Sequence, residues 1–249
     1  MLTDNTILKS SCRYGSLLHA CPSQLSQRQS SSKSMSSITI WGRRSSFNVQ
    51  KVLWVLDLLQ LTYHHIEIGG KFGGLDTSEF ESLNPHKKVS VLREGDLVIW
   101  ESHTIIRYLA AKYSPSTLWR ETPSERTYID RWLDWTATRL QPDFMTLFWV
   151  LPYAKSERAQ KTIQQAKEKC NYDYALLNRY LQDKRFLCGD ELTLADIPPG
   201  ATLHRYFTMG ADVAKPANVI AYYQRLCGTE AYRRSIMSPY EELFGRSIF

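Results

Sequence analysis

Residues 37–113 lay out short apolar runs and helical spacings in the order β-α-β-(α)-β-β-α, and no strand of comparable quality follows them. Residues 37–41 (SITIW) alternate as a strand does. After Gly42 and a polar loop, Val49, Val52, Leu53, Leu56 and Leu59 recur at the spacing of a helix. Residues 62–68 (TYHHIEI) read as a second strand, followed by the glycine-rich stretch 69–74 and a short segment at 78–83 that stops at Asn84-Pro85. Two further apolar runs, 89–92 and 97–100, are joined by Glu94-Gly95-Asp96 as a β-hairpin, and apolar residues at 105, 106, 109 and 113 then resume helical spacing. This alternation predicts an α/β layer with helices packed on a mixed sheet. Beyond Tyr113 only helical spacing persists: through Ile129, Trp132, Leu133 and Leu140, then 163–181, then a helix that opens at Thr193-Leu194-Ala195-Asp196. That opening is a capping box with Asp in place of Glu. The expectation is a small α/β domain over 37–113 and an all-helical domain over 123–240.

What precedes residue 37 is of another kind. Eleven of the first 37 residues are serine, and Lys9, Arg13, Arg28 and Lys33 face Asp4 alone, so this stretch carries +3 of the formal +6. Residues 1–36 therefore read as a disordered serine-rich, basic extension. Its composition also fits an organelle transit peptide, which makes a mitochondrial destination the alternative to a cytoplasmic one. The remaining +3 is spread over the rest of the chain without the one-sided Lys/Arg clustering of a nucleic-acid surface. No apolar run approaches the ~18–20 residues of a membrane span. Five cysteines, at 12, 21, 170, 188 and 227, show no Cys-x-x-Cys spacing. They predict free thiols rather than a disulfide framework or a metal site.

Two polar positions invite a chemical reading. The loop Arg43-Arg44-Ser45-Ser46-Phe47-Asn48 stands between the first strand and the first helix, where unpaired N–H groups and a partial positive charge gather. Ser46 or Asn48 there caps the helix, or else meets a ligand. Glu101-Ser102 stands where the last strand becomes a helix. A hydroxyl at a helix N-terminus suits a carboxylate and the neighbouring acid suits an ammonium, together the two charges of a free amino-acid head group. An N-cap serine beside a surface glutamate is the alternative.

Three segments, "ITIWGRRSSFNVQKVLWVLDLL", "SLNPHKKVSVLREGDLVIWESHTIIRYLA" and "LTLADIPPG…KPANVIAYYQRL", resemble the glutathione transferase superfamily, its bacterial theta/nu-like members above all. The resemblance covers about residues 37–240 and its motifs fall in the family's order. It implies a thioredoxin-like domain followed by an all-α domain, glutathione as co-substrate, no metal, and a homodimer acting in detoxification on small hydrophobic electrophiles. By that resemblance Ser46 and Asn48 are the catalytic pair, with the Ser46 hydroxyl directed at the glutathione sulfur. Val89 pairs its backbone with the cysteinyl unit, while Glu101 and Ser102 hold the ammonium and carboxylate of the γ-glutamyl head. Phe148, Trp149, Arg205 and Phe207 are candidates for the hydrophobic co-substrate site. The family motif N-P-x-G-x-V-P here reads NPHKKVS, with Lys87 and Ser90 at the glycine and second proline. Two alternatives accompany the transferase reading: glutathione-dependent reduction of disulfides or peroxides, and a non-catalytic binding protein. Residues 43–48 contain no cysteine, so a thioredoxin-like dithiol is excluded there.

Overall fold

The structure is a computed structural model that describes residues 37–114, 117–153 and 155–243; the extension expected over 1–36 lies outside the described residues. The first half runs β1 (Ile38–Trp41), α1 (Phe47–Leu58), β2 (Tyr63–Ile66), a 3₁₀ turn at Gly70–Phe72, α2 (Ser78–Leu83), β3 (Val91–Glu94), β4 (Leu97–Trp100) and α3 (Ser102–Tyr113). The strands form one mixed sheet in the order β2-β1-β3-β4. β1 runs parallel to β2 and antiparallel to β3, and β3 runs antiparallel to β4. The second half is helical: α4 (Pro123–Trp135), a π-turn at Thr136–Leu140, α5 (Gln141–Val150), α6 (Glu157–Tyr180), α7 (Ile197–Thr208), α8 (Ala217–Cys227) and α9 (Glu230–Ile236). The expected thioredoxin-like α/β layer and the all-α half are both present.

The first strand of the hairpin sits two residues later than its apolar run predicts, while the second keeps residues 97–100. Glu94 belongs to β3 rather than to the turn because its carboxylate is buried against α3, accepting from Tyr108 Oη (2.7 Å), Lys112 Nζ (2.6 Å) and the Tyr113 hydroxyl. Val89 and Ser90 consequently precede the strand, joined by a cis peptide bond. The first helix starts two residues earlier than its periodicity suggests, with Ser46 in the extended conformation of an N-cap.

Helix α1 is buried without interruption from Val49 to Leu56. It packs on α3 on the sheet side and on α7 and α9 on the helical side. Trp54, with no exposed surface, meets Tyr232 of α9 edge-to-face at 4.9 Å. The apolar core passes through this helix as one cluster from Ile38 to Leu243.

Candidate functional site

Strand register gathers the polar loops on one edge of the sheet. Trp41 pairs with Val91, and Val91 with Trp100, so the chain leaves β1, enters β3 and leaves β4 side by side. The residues next to those three, 42–48, 89–90 and 101–102, therefore share an edge. Gly42 makes their approach possible. It has φ +144°, and a Cβ there would stand 2.3 Å from Val49 Cγ2 and 3.0 Å from Val89 Cβ. A side chain at 42 would push the first helix and Val89 apart.

Ser46 is the N-cap of α1, but its hydroxyl makes no capping bond. The helix instead starts through its backbone, with Gln50 N donating to Ser46 O at 2.9 Å. The hydroxyl is left beside the unpaired N–H groups of the first turn, in the region where negative charge is stabilised.

At the other junction Glu101, not Ser102, occupies the N-cap of α3, and it does so at φ +71°. Left-handed backbone at a residue with a side chain costs about 1–2 kcal/mol and concentrates at functional sites. Glu101 is exposed; Ser102 is buried and its Oγ donates to Asn48 Oδ1 at 3.4 Å. The same Oδ1 accepts from Gln141 Nε2 at 3.3 Å. Gln141 in turn accepts at Oε1 from Lys51 Nζ (3.0 Å), which also lies 3.0 Å from His103 Nε2. This chain has a fixed polarity. Lysine is a donor, so Gln141 turns its oxygen to it and its nitrogen to Asn48, and Asn48 turns its oxygen inward. The Asn48 amide nitrogen is then the atom its protein neighbours leave unused. Burial brings the Lys51 ammonium down to about 7, with Glu101 acting in the opposite direction, and brings His103 down to about 2. Gln141 owes its position to the π-turn before α5: Pro142 has no N–H to continue an α-helical ladder, and Gln141 N reaches back five residues to Thr136 O.

Between this edge and the helices lies a cleft of about 250 Å³. Ser46, Asn48, Val89, Lys87 and Lys88 line it from the sheet side; Gln141, Met145, Trp149, Arg205 and Leu243 line it from the helical side. Arg205 is almost fully buried, its Nη2 donating to Ser45 O at 2.6 Å and to Gln50 Oε1 at 3.1 Å. Its guanidinium lies 5.4 Å from the Phe148 ring and 5.3 Å from that of Tyr240. Burial lowers it to about 10, so it stays charged at neutral pH. The carboxyl-terminal segment crosses one rim. Ser238 accepts from Gln50 Nε2 at 2.8 Å, while Glu242 accepts from Ser45 Oγ at 2.6 Å and pairs with Lys71 at 2.9 Å.

Of the residues singled out in the sequence, Ser46, Asn48, Val89, Trp149 and Arg205 line the cleft, and Ser102 reaches it through Asn48. Glu101 stands at the same edge but faces solvent. Two co-substrate candidates stand elsewhere. Phe148 is completely buried, tilted against Phe144 at 6.0 Å, and Phe207 packs edge-to-face on Tyr223 at 4.9 Å. Aromatic spacing on a helix marks the core-facing side; Phe148 lies within the core and Phe207 is partly buried against it. Lys51, Gln141 and Met145 were not foreseen. The one available signal was Gln50-Lys51, a polar pair that interrupts the apolar run of the first helix. Cys170, Cys188 and Cys227 are free thiols outside the cleft lining. Among the described residues no His, Cys, Asp and Glu cluster could hold a metal ion, and no helix is long and apolar enough to cross a membrane.

Comparison with known proteins agrees with this architecture. Residues 41–117 match the family model "Glutathione S-transferase, N-terminal domain", and residues 139–230 match "Glutathione S-transferase, C-terminal domain". The chain is 35% identical over 205 residues to glutathione S-transferase GstB of Escherichia coli (strain K12), spanning 81% of this chain and 99% of that protein. It is 27% identical over 170 residues to glutathione S-transferase 4 of Zea mays, covering 67% and 76% of the two chains. Among solved structures, the theta class glutathione S-transferase from the citrus canker pathogen Xanthomonas axonopodis pv. citri, with glutathione bound, superposes with a TM-score of 0.76 at 37% identity. That match covers 83% of this chain and all of the other.

Proposed function

The chain belongs to the glutathione S-transferase family, and from that premise we propose that it transfers glutathione to small hydrophobic electrophiles through Ser46. The observation that carries this reading is Ser46: it lines the cleft at a helix N-terminus and its hydroxyl is not used as a cap. Asn48 stands beside it with its amide orientation set from behind. Val89 offers its backbone from the loop opposite, and Glu101 with Ser102 receives the γ-glutamyl head at the shared sheet edge. The electrophile enters against the helical wall.

The energetics suffice. A free thiol with pKa ~8.5 is roughly 3% thiolate at pH 7. Lowering that by ~2 units makes about three quarters thiolate and takes about 2.7 kcal/mol. One hydrogen bond to the charged sulfur supplies ~1.5–3 kcal/mol and the helix N-terminus ~0.3–1. Ser46→Ala is therefore expected to lower turnover by one to two orders of magnitude, about 1.4 kcal/mol per tenfold, while glutathione affinity stays nearly unchanged. The pH–rate profile reads the role directly: its acidic limb moves to higher pH in the variant, and a limb that does not move removes Ser46 from the chemistry. Assays with a chromogenic aryl halide and an organic hydroperoxide separate conjugation from reduction. With no protein cysteine in the cleft lining, a reductase here would depend on glutathione sulfur alone. The family carries with it the expectations of a homodimer and a cytoplasmic setting; sedimentation and cell fractionation check them.

A further inference from the structure

The cleft is basic on both walls. Arg43, Lys87, Lys88 and Arg205 line it, and among the described residues no Asp or Glu does. Lys87 is paired with Glu81 at 3.1 Å. Arg205 is different. Among the described residues it has no carboxylate partner; its bonds go to a backbone carbonyl and an amide oxygen, and its Nε is buried without a hydrogen-bond partner. A buried cation held only by neutral groups is costly unless something supplies the opposite charge.

No carboxylate of glutathione supplies it at this spot. Its two carboxylates stand at the ends of the tripeptide, with the thiol between them. Arg205 holds the carbonyl of Ser45, the neighbour of Ser46, so it stands beside the position of the sulfur rather than at either end. Two anions can reach it there: the thiolate, which Ser46 and the helix N-terminus already stabilise, and a group carried by the other substrate. Around the guanidinium the helical wall offers Met145, Trp149 and Leu243, which suit an apolar body. Resting on the transferase reading above, we infer that the second substrate of this site is an electrophile that joins an apolar or aromatic body to a carboxylate, anchored by Arg205. The step is a displacement. The thiol proton passes to solvent, the thiolate sulfur forms a bond to the electrophilic carbon, and the leaving group departs with the electron pair of the bond that breaks.

The test compares 4-(chloromethyl)benzoate with 4-(chloromethyl)benzamide, nearly equal in shape and reactivity and different in charge, using the full chain and glutathione. The readout is the ratio of their kcat/KM values. A charge-assisted bond to a guanidinium predicts a ratio of about ten or more in favour of the acid. Arg205→Met is expected to bring that ratio close to one, and Arg205→Lys, which keeps a cation at the position but draws it back and loses the guanidinium fork, to retain only part of it. A wild-type ratio near one overturns the inference without any variant. So does an unchanged ratio in Arg205→Met, which would assign Arg205 to holding the Ser45 carbonyl or to the thiolate itself, since either role slows both compounds alike. Conjugation of the amide in the wild type keeps the transferase reading intact in those cases. If neither compound nor an aryl halide is conjugated, that reading fails and the inference with it.

Discussion

Asp173, on α6, is shut away from water with neither carboxylate oxygen meeting a donor. Burial raises its carboxyl to about 6, helped by the charge of Asp143 and opposed by Arg139 and Lys169. The folded chain thus holds a proton that the unfolded chain releases near pH 4. Between pH 4 and 6 the native state binds more protons, so this residue's contribution is fully present below pH 4 and is lost as pH rises through 6. Two units correspond to about 2–3 kcal/mol. Asp173→Asn is expected to raise the melting temperature at pH 7, leave it nearly unchanged at pH 4, and flatten the profile between; equal shifts at both pH values would refute the charge argument. Lys51 is the converse case: its lowered pKa makes the folded state gain stability as pH climbs from about 7 towards 10.5. Neither residue was legible in the sequence, because a charged residue inside a helical pattern reads by default as part of a solvated face. Ser46, Asn48 and Ser102 were legible, since a family motif fixes their positions in the chain. Which of Asn48's atoms its protein neighbours leave unused was not, because that depends on Gln141, 93 residues away.

At the level of single elements, the opening at Thr193 shows what a short motif can and cannot convey. The capping box forms: Thr193 N donates to Asp196 Oδ2 at 2.9 Å and the Thr193 hydroxyl accepts from the chain. The motif did not foretell that Asp196 also receives Leu187 N and Tyr222 Oη, each at 2.9 Å, or that the first turn is a 3₁₀ turn before α7 proper. Asp196→Ala takes the acceptor from four buried donors, Leu187 N, Thr193 N, Thr193 Oγ1 and Tyr222 Oη, at about 1–3 kcal/mol for each left unsatisfied. The expected loss is at least about 3 kcal/mol in denaturant unfolding, and a loss under 1 kcal/mol would show that water replaces the carboxylate. Strands and helices were read correctly in kind wherever their period was clean. The π-turn before α5 was missed because one extra residue leaves apolar spacing intact while redirecting a side chain.

For the molecule as a whole, periodicity marked the change from α/β to helical chain, but not that the halves share a core. Period reports that a face is apolar, not what covers it. Here α1 is covered on both sides, and the core cluster includes Ile38 and Leu243 alike. The chain from 37 to 243 is therefore expected to melt in one transition. Far-UV circular dichroism and tryptophan fluorescence should give the same midpoint, and Trp54→Ala, at a stability loss of about 3–5 kcal/mol, should lower both together. A fluorescence midpoint separated from the helical one would show two independent cores.

The carboxyl-terminal rim adds a temporal side to this arrangement. Ser238 and Glu242 are fastened by polar bonds to Gln50, Ser45 and Lys71, and Leu243 forms part of the wall. Such bonds break and re-form without disturbing the core beneath. The latch and the surfaces behind it are joined, because Gln50 and Ser45, which fasten the rim, also accept from Arg205. Substitutions at the latch are therefore expected to alter both how firmly the cleft holds a molecule and how quickly it is exchanged.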